Sequence, residues 1–386
     1  MNFRKQIMTP IEHTKRRLKD FIAAPLTAPD LVWDNKGISF PIDSNQFPVP
    51  QLLLFLLHGI CDFPLGCKGD KMHWIVPFTY KKVNYAICHQ KFGLYIYIDE
   101  ETDIKINKEE VLGKLKKALD TVEKYILSTI ANDQISKGNF SIVNRFNELS
   151  SQYYYFRETA SLAYTPKDNP NITKDACNFI THSLNAGFKA NKEGGYNALA
   201  MIDAYFSRLE HFFVLALPFI GYDREKDNLA NFIGSIWSEK FHHIFDMHDR
   251  SVKKHYDILV SIKEKYRNTF AHGGFEKNGQ SFFFHLENFG AIPASMSGFK
   301  DSVHFNYFPI DKNGFENICS SFDDFDNYLS DIALPQAWKY ANSALNLAFD
   351  QKNLSELLSV IKDIDTYDAW IEAQCYLFDM YANADY

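Results

Sequence analysis

The sequence predicts an α+β protein, in which an N-terminal module with a small antiparallel sheet and helices precedes a mainly α-helical region. Three observations support this prediction. Residues 74–98 alternate apolar and polar positions and are rich in β-branched and aromatic residues, as is typical of short strands. Residues 108–130 repeat apolar residues at helical spacing. After residue 173 almost every segment has the same helical pattern.

The N-terminal module is predicted to cover residues 1–165. It begins with a basic amphipathic segment and Pro-punctuated stretches. Three strands are then predicted, WIVPFTY, VNYAICHQ and FGLYIYI, followed by helices over 108–130 and 140–164. The segment TPKDNPN (165–171) is predicted to be a linker, because its two prolines bracket polar residues.

The second domain, residues 172–386, is predicted to be helical apart from two short strand-like runs. The predicted helices are 173–191, 196–219, 227–247, 250–272, 314–330, 335–349 and 353–381. The strand-like runs SFFFHLENF and SVHFNYF lie between the fourth and fifth of these helices.

The composition excludes several classes of protein. With 46% hydrophobic and 23% charged residues the chain is neither disordered nor fibrous, and its net charge of −7 excludes a general polybasic coat for nucleic acid. The charge is uneven, because residues 311–386 hold 4 Lys/Arg against 14 Asp/Glu, whereas residues 250–272 hold six against two. A local basic face that meets RNA is therefore compatible with the overall charge.

Three further features concern the compartment. The six cysteines form no CxxC pair, the longest apolar run (Leu52–Ile60) is about half the length of a membrane span, and the N-terminus resembles no signal peptide. We therefore expect a cytoplasmic protein without a membrane segment.

The segment KEKYRNTFAHGGF, residues 263–275, has the pattern most suggestive of chemistry. In a regular helix from Arg250 the apolar residues form one stripe, Arg267 lies at its edge, and Asn268 and His272 are neighbours on the opposite face. Geometry alone favours a plain interpretation, in which a histidine complements the helix dipole and the other two side chains are solvated.

The sequence Arg267-Asn268-x-x-x-His272 resembles the R-x(4–6)-H signature of the HEPN superfamily. Its context is similar too, since the signature ends a late helix in a helical region, and Glu210 on an earlier long helix matches an acidic residue of that family. The resemblance covers roughly residues 173–380. It implies a HEPN-like bundle, a metal-independent endoribonuclease that needs no cofactor, Arg267, Asn268 and His272 as catalytic residues, and Glu210 in a supporting role.

The residue types suit that reaction. RNA carries its own nucleophile, the 2′-OH, so an imidazole with a near-neutral pKa can move the required proton. A guanidinium stabilises a phosphorane as it gains negative charge. The resemblance further implies a homodimer that joins two motifs in one cleft, an RNA substrate, and a role as a toxin or anti-phage effector held in check or triggered by a partner protein.

Two other functions remain open. The chain could be a non-catalytic HEPN-like scaffold that binds RNA, a nucleotide or a protein, or an interaction protein in which the motif is coincidental. Two sets of residues invite a metal site, but the sequence favours none in either: His58, Cys61, Cys67 and His73 match no common zinc spacing, and His242, His243 and His248 do not converge on one point.

Overall fold

A computed structural model describes most of the chain. The described ranges are 3–23, 37–67, 71–99, 108–165, 176–223, 228–268, 282–294 and 310–383. The fold is α+β, as predicted, with a five-stranded antiparallel sheet in the N-terminal part and helices in the remainder. None of the helices among these residues combines the length and apolar character of a membrane-spanning segment.

The chain divides into two compact units at a different place from the predicted one. The N-terminal unit comprises 1–137 with 379–386, and the helical unit comprises 138–378. Helix 146–163 belongs to the helical unit because its buried residues, including Tyr153, lie in the helical core. Helical periodicity shows that a helix has a buried face, but not which neighbour covers it. Most of the predicted linker lies outside the described residues.

The N-terminal unit is built on one antiparallel sheet. Its strands are β1 (Phe21–Ala23), β2 (Gly37–Pro41), β3 (Met72–Tyr80), β4 (Val83–Gln90) and β5 (Gly93–Asp99). They are ordered β1-β3-β4-β5-β2, so the three predicted strands are confirmed and the two short outer strands were not predicted. The turn between β3 and β4 consists of Lys81 and Lys82, both with positive φ.

Helices cover one face of this sheet. They are α1 (Phe3–Arg17), α2 (Pro50–Leu54, continued by a π turn at Phe55–Ile60), α3 (Lys108–Val122, continued by a π turn at Glu123–Leu127) and α4 (Ser128–Ser136). The apolar face of α3, with Val111 and Leu115, is buried in the same cluster as Phe78 and Ile87 of the sheet. The alternation along β3 and β4 thus directs every second side chain into this core.

The helical unit contains nine α-helices among its described residues. They are α5 (Phe146–Ala163), α6 (Ala176–Ala216, followed by a 3₁₀ turn at Leu217–Ile220), α7 (Leu229–Gly234), α8 (Trp237–Ile244), α9 (Arg250–Ile262, continued by a π turn at Lys263–Asn268), α10 (Lys312–Tyr328, continued by a π turn at Leu329–Ala333), α11 (Pro335–Asn342), α12 (Gln351–Val360) and α13 (Ile364–Asn383). Two strand pairs accompany them: β6 (Ser141–Ile142) with β9 (Leu347–Ala348), and β7 (Phe282–Leu286) with β8 (Gly290–Ala294).

Several predicted boundaries differ from the observed ones. The two helices predicted over 173–191 and 196–219 are one helix, α6, which continues through Gly194. A Cβ on Gly194 would lie 2.6 Å from the ring of Tyr164, so the absence of a side chain permits this close packing. The helix predicted over 227–247 is two helices, α7 and α8. The helix predicted over 335–349 ends at Asn342, and the one predicted over 353–381 is divided into α12 and α13. The run SVHFNYF lies outside the described residues.

A buried ion pair fixes α6 against α10. Arg208 is 2% exposed and donates to Asp326, which also accepts a hydrogen bond of 3.1 Å from the hydroxyl of Tyr205. The rings of Tyr205 and Phe322 stack beside them with centroids 3.6 Å apart. This packing sets which face of α6 is presented to α9.

Candidate functional site

Helix α9 positions the predicted motif. It begins at Arg250 and is capped by Asp249, whose carboxylate accepts a hydrogen bond from the backbone N–H of Ser251 and so satisfies one free donor of the first turn. The predicted apolar stripe is confirmed where it is described, since Val252, Leu259 and Tyr266 are buried.

The last described turn of this helix is not a regular α-helical turn. Residues Lys263–Asn268 form a π turn, in which hydrogen bonds span one more residue than in an α-helix. The direction of each side chain therefore departs from the 100° step assumed in the sequence-based prediction. In the resulting position Arg267 faces α6.

Arg267 pairs with an aspartate of α6 that the sequence did not single out. Its Nε lies 2.6 Å from Oδ1 of Asp203, and its guanidinium carbon lies 6.0 Å from the ring centroid of Phe206. The Arg267 side chain is 31% exposed and that of Asp203 is 60% exposed. The pair thus orients the guanidinium while leaving it within reach of a solvent-borne ligand.

Lys263 lies one helical turn before Arg267 and faces the same helix. Its Nζ lies 4.9 Å from the ring centroid of Trp237 and 5.5 Å from that of Phe206. Burial, reinforced by the positive charge of Arg267, lowers the pKa of Lys263 to about 8, while the carboxylates of Glu210 and Asp203 oppose this shift. The protonated form of Lys263 is therefore less favourable at this site than in water.

Glu210 lies two helical turns after Asp203 on α6, and so on the same face. It does not contact Arg267 but pairs with Lys240 of α8, whose Nζ lies 3.6 Å from Oε2. Lys240 is only 4% exposed. The acidic face of α6 thus meets three cations, Arg267, Lys263 and Lys240, and the carboxylate of Glu210 partly opposes the lowering of the Lys263 pKa.

The other predicted site residues fall outside what can be described. The backbone of Asn268 belongs to the π turn, but its side chain is not among the described ones, and His272 lies outside the described residues. Whether the three motif side chains converge therefore stays a prediction. Asp203 had one signal in the sequence, its seven-residue spacing to Glu210, but only the crossing of α6 and α9 shows which acid meets the arginine.

The metal sites that the sequence disfavoured are not formed by the described residues, which contain no group of three suitable ligands. Nδ1 of His58 lies 2.7 Å from the carbonyl oxygen of Phe63, and burial raises the pKa of Cys61 to about 11, which keeps its thiol protonated. His242 and His243 lie against different rings, those of Tyr256 and Phe232.

Two pockets of the helical unit lie elsewhere on its surface. One, of about 660 Å³, is lined partly by Arg157, Cys319 and Asp323, and the other, of about 300 Å³, partly by Phe232 and His243. Neither is lined by the residues around the motif.

Comparisons with protein-family models, with curated proteins and with solved structures found no match for this chain. A functional proposal therefore depends on the motif residues, their helical context and the contacts described above.

Proposed function

We propose that the helical unit is a metal-independent endoribonuclease of the HEPN type and that the protein serves as a cytoplasmic toxin or anti-phage effector. One observation carries the proposal: Arg267, in the R-N-x-x-x-H segment, lies in the last described turn of α9 with its guanidinium held by Asp203 and its side chain 31% exposed. A fixed but accessible arginine is suited to bind a phosphodiester.

In the proposed reaction the 2′-oxygen of RNA forms a bond to the adjacent phosphorus while the bond from phosphorus to the 5′-oxygen breaks. Arg267 stabilises the negative charge of the phosphorane. His272 moves a proton, either from the 2′-OH or to the leaving oxygen, and Asn268 orients His272 or donates to a phosphate oxygen. The products are a 2′,3′-cyclic phosphate and a 5′-hydroxyl, and the proposed reaction uses neither a metal nor a cofactor.

One chain carries one motif, so we propose a homodimer in which Arg267, Asn268 and His272 of both copies line a shared cleft. The partial exposure of the Arg267 side chain, 31%, supports this arrangement, because it leaves the guanidinium accessible to a second copy. A second surface would exclude water from the reacting phosphate and strengthen its contact with the guanidinium. A partner protein would inhibit or trigger the dimer.

A non-catalytic scaffold is the second candidate, and a specific observation favours it. Arg267 and Glu210 both form ion pairs within the helical unit, with Asp203 and Lys240. Such pairs also occur between helices that are merely packed together. In this case the unit would bind RNA, a nucleotide or a protein without cutting.

RNA cleavage in the presence of EDTA separates the two candidates. Wild-type protein, Arg267→Ala and His272→Ala are incubated with mixed RNA, and the fragment ends are identified by mass spectrometry. We expect wild-type protein to produce 2′,3′-cyclic phosphate ends and both variants to lose at least about 100-fold in rate, as is typical when a transition-state donor or a proton-transfer group is removed.

Lys265→Ala is the matched control, since it removes one exposed positive charge from the same π turn. It should retain cleavage, whereas Asp203→Asn should reduce it by loosening Arg267. A wild-type protein that leaves RNA intact with its trigger present, or variants that cut as fast as wild type, would exclude the nuclease. Light scattering of the purified protein tests the dimer separately.

A further inference from the structure

The β3–β4 turn of the N-terminal unit has an unusual sequence. Its two residues, Lys81 and Lys82, have φ values of 48° and 65°. Two-residue turns of this kind favour Asn-Gly, because a residue with a Cβ is strained in the left-handed region. Strained positions are often kept where the side chain has a function.

The two lysines differ in their surroundings. Nζ of Lys81 lies 2.8 and 2.9 Å from the carboxylate oxygens of Glu110, which also accepts a 2.6 Å hydrogen bond from the hydroxyl of Tyr80. Lys82 is exposed and forms no ion pair with another described residue. The first lysine therefore anchors the turn, while the second presents a charge to solvent.

The end of α1 lies beside this turn. Phe21, four residues after the end of α1, pairs with Tyr80 across the sheet, and their ring centroids are 4.7 Å apart. Nζ of Lys114 on α3 lies 5.1 Å from the Tyr80 ring and 3.0 Å from the carboxylate of Asp20. Three elements thus meet around one buried tyrosine.

Four exposed cations project from this region, and we call them the basic corner: Arg16, Arg17, Lys19 and Lys82. None forms an ion pair with another described residue. The neighbouring Lys15, Lys81 and Lys114 are neutralised by Asp62, Glu110 and Asp20. The helix dipole favours cations in the last turn of α1, but it does not act on Lys19 and Lys82, which lie outside the helix.

We propose that the basic corner binds the phosphodiester backbone of single-stranded RNA. Four unneutralised charges, carried by two separate elements, can contact successive phosphates and release their counterions. The proposal goes beyond the cleavage reaction, because it concerns the N-terminal unit and holds whether or not the helical unit cuts RNA.

An anionic membrane is the competing partner, and the packing of α1 disfavours it. Membrane-surface helices insert an apolar face, but the described apolar side of α1 is occupied, with Thr14 fully buried and Leu18 3% exposed against the core. The described side chains of α1 thus offer charge without a free apolar face.

Salt dependence of RNA binding tests the proposal. Binding of a fluorescent oligouridylate is measured by anisotropy between 50 and 200 mM salt, using full-length Arg267→Ala so that the RNA stays intact. Lys19→Gln/Lys82→Gln in that background should reduce the steepness of the slope of log K against log salt by about 1.4. Between 50 and 200 mM salt the affinity of this variant should therefore drop by a factor about 7-fold smaller than the drop of its parent.

Lys71→Gln/Lys91→Gln is the matched control, because it removes two charges at the opposite end of the same hairpin. Its slope should equal that of the parent. The proposal is overturned if no RNA binds, if the corner variant keeps the parental slope, if the control loses as much, or if the corner variant loses binding to phosphatidylserine vesicles but not to RNA.

Lys82→Gly provides a test without risk to folding, since glycine suits the positive φ. A weaker RNA affinity in this variant supports the proposal, and an unchanged affinity opposes it. Cleavage is measured separately on wild-type protein. If the protein does not cut RNA but still binds it through the basic corner, the nuclease proposal fails and the RNA-binding proposal is supported.

Discussion

Replacing Asp326 by alanine should strongly destabilise the helical unit. The change removes the partner of Arg208, whose side chain is 3% exposed and is surrounded by aromatic rings, the nearest being Tyr153 and Tyr205 at 4.7 and 4.9 Å. The guanidinium cannot lose its proton or reach solvent, so its charge would remain buried without compensation.

The magnitude follows from the burial of the pair. Breaking a buried ion pair by removing one partner costs about 3–5 kcal/mol. The hydroxyl of Tyr205 loses an acceptor as well, although the carbonyl of Phe322 lies within 3.4 Å of it. Asp323→Ala is the matched control, because Asp323 lies on the same helix and is paired with Arg157. The Asp323 side chain is 47% exposed and that of Arg157 is 26% exposed, so the loss of stability should be only about 0.2–1 kcal/mol.

Urea unfolding followed by circular dichroism measures both changes, and hydrogen exchange of the peptides from α6 and α10 assigns the transition to the helical unit. Arg208→Met/Asp326→Leu should recover most of the loss, because apolar side chains remove the unpaired charge. The reasoning would be refuted if Asp326→Ala cost no more than Asp323→Ala.

Four further substitutions have definite expected outcomes. Gly187→Ala should raise the free energy of unfolding by about 0.5–1 kcal/mol, because the added Cβ would meet nothing within 4 Å. Gly194→Ala should lower it by about 1–3 kcal/mol, because the added Cβ would clash with the Tyr164 ring. Thermal unfolding of both variants checks these two predictions. Lys263→Met should be stabilising at pH 7. Folding lowers the pKa of Lys263 from 10.5 to about 8, so wild-type stability rises with pH between these values and the advantage of the variant should shrink there, as urea titrations at pH 7 and 10 can measure. Lys82→Gly should stabilise the N-terminal unit by up to about 1 kcal/mol, and unchanged hydrogen-exchange protection of β3 and β4 would contradict this.

The parts of the fold that the sequence predicted are those with local patterns. Strands β3 to β5 alternate regularly and α3 and α9 have apolar stripes, whereas β1 has only three residues and leaves no pattern to detect. The continuity of α6 was missed because glycine is a weak helix former, while the ring of Tyr164 requires a residue without a Cβ at Gly194.

The candidate site shows the same division between local and distant information. Arg267 and Glu210 were found from type and context, but the partner of Arg267 is Asp203, 64 residues away in sequence. That pairing depends on how two helices cross and on a π turn, which has no compositional signature. A helical wheel could therefore place the apolar stripe of α9 but not the direction of its arginine.

The π turn at Lys263–Asn268 makes the motif sensitive to insertions and deletions. Such a turn contains one residue more than the α-helical turn it replaces. Deleting one exposed residue there, such as Lys265, would convert the turn to a regular helical turn and change the direction of the Arg267 side chain relative to Asp203. The arginine would keep its identity and lose its aspartate. The number of residues before Arg267 is thus as much a part of the site as the arginine itself.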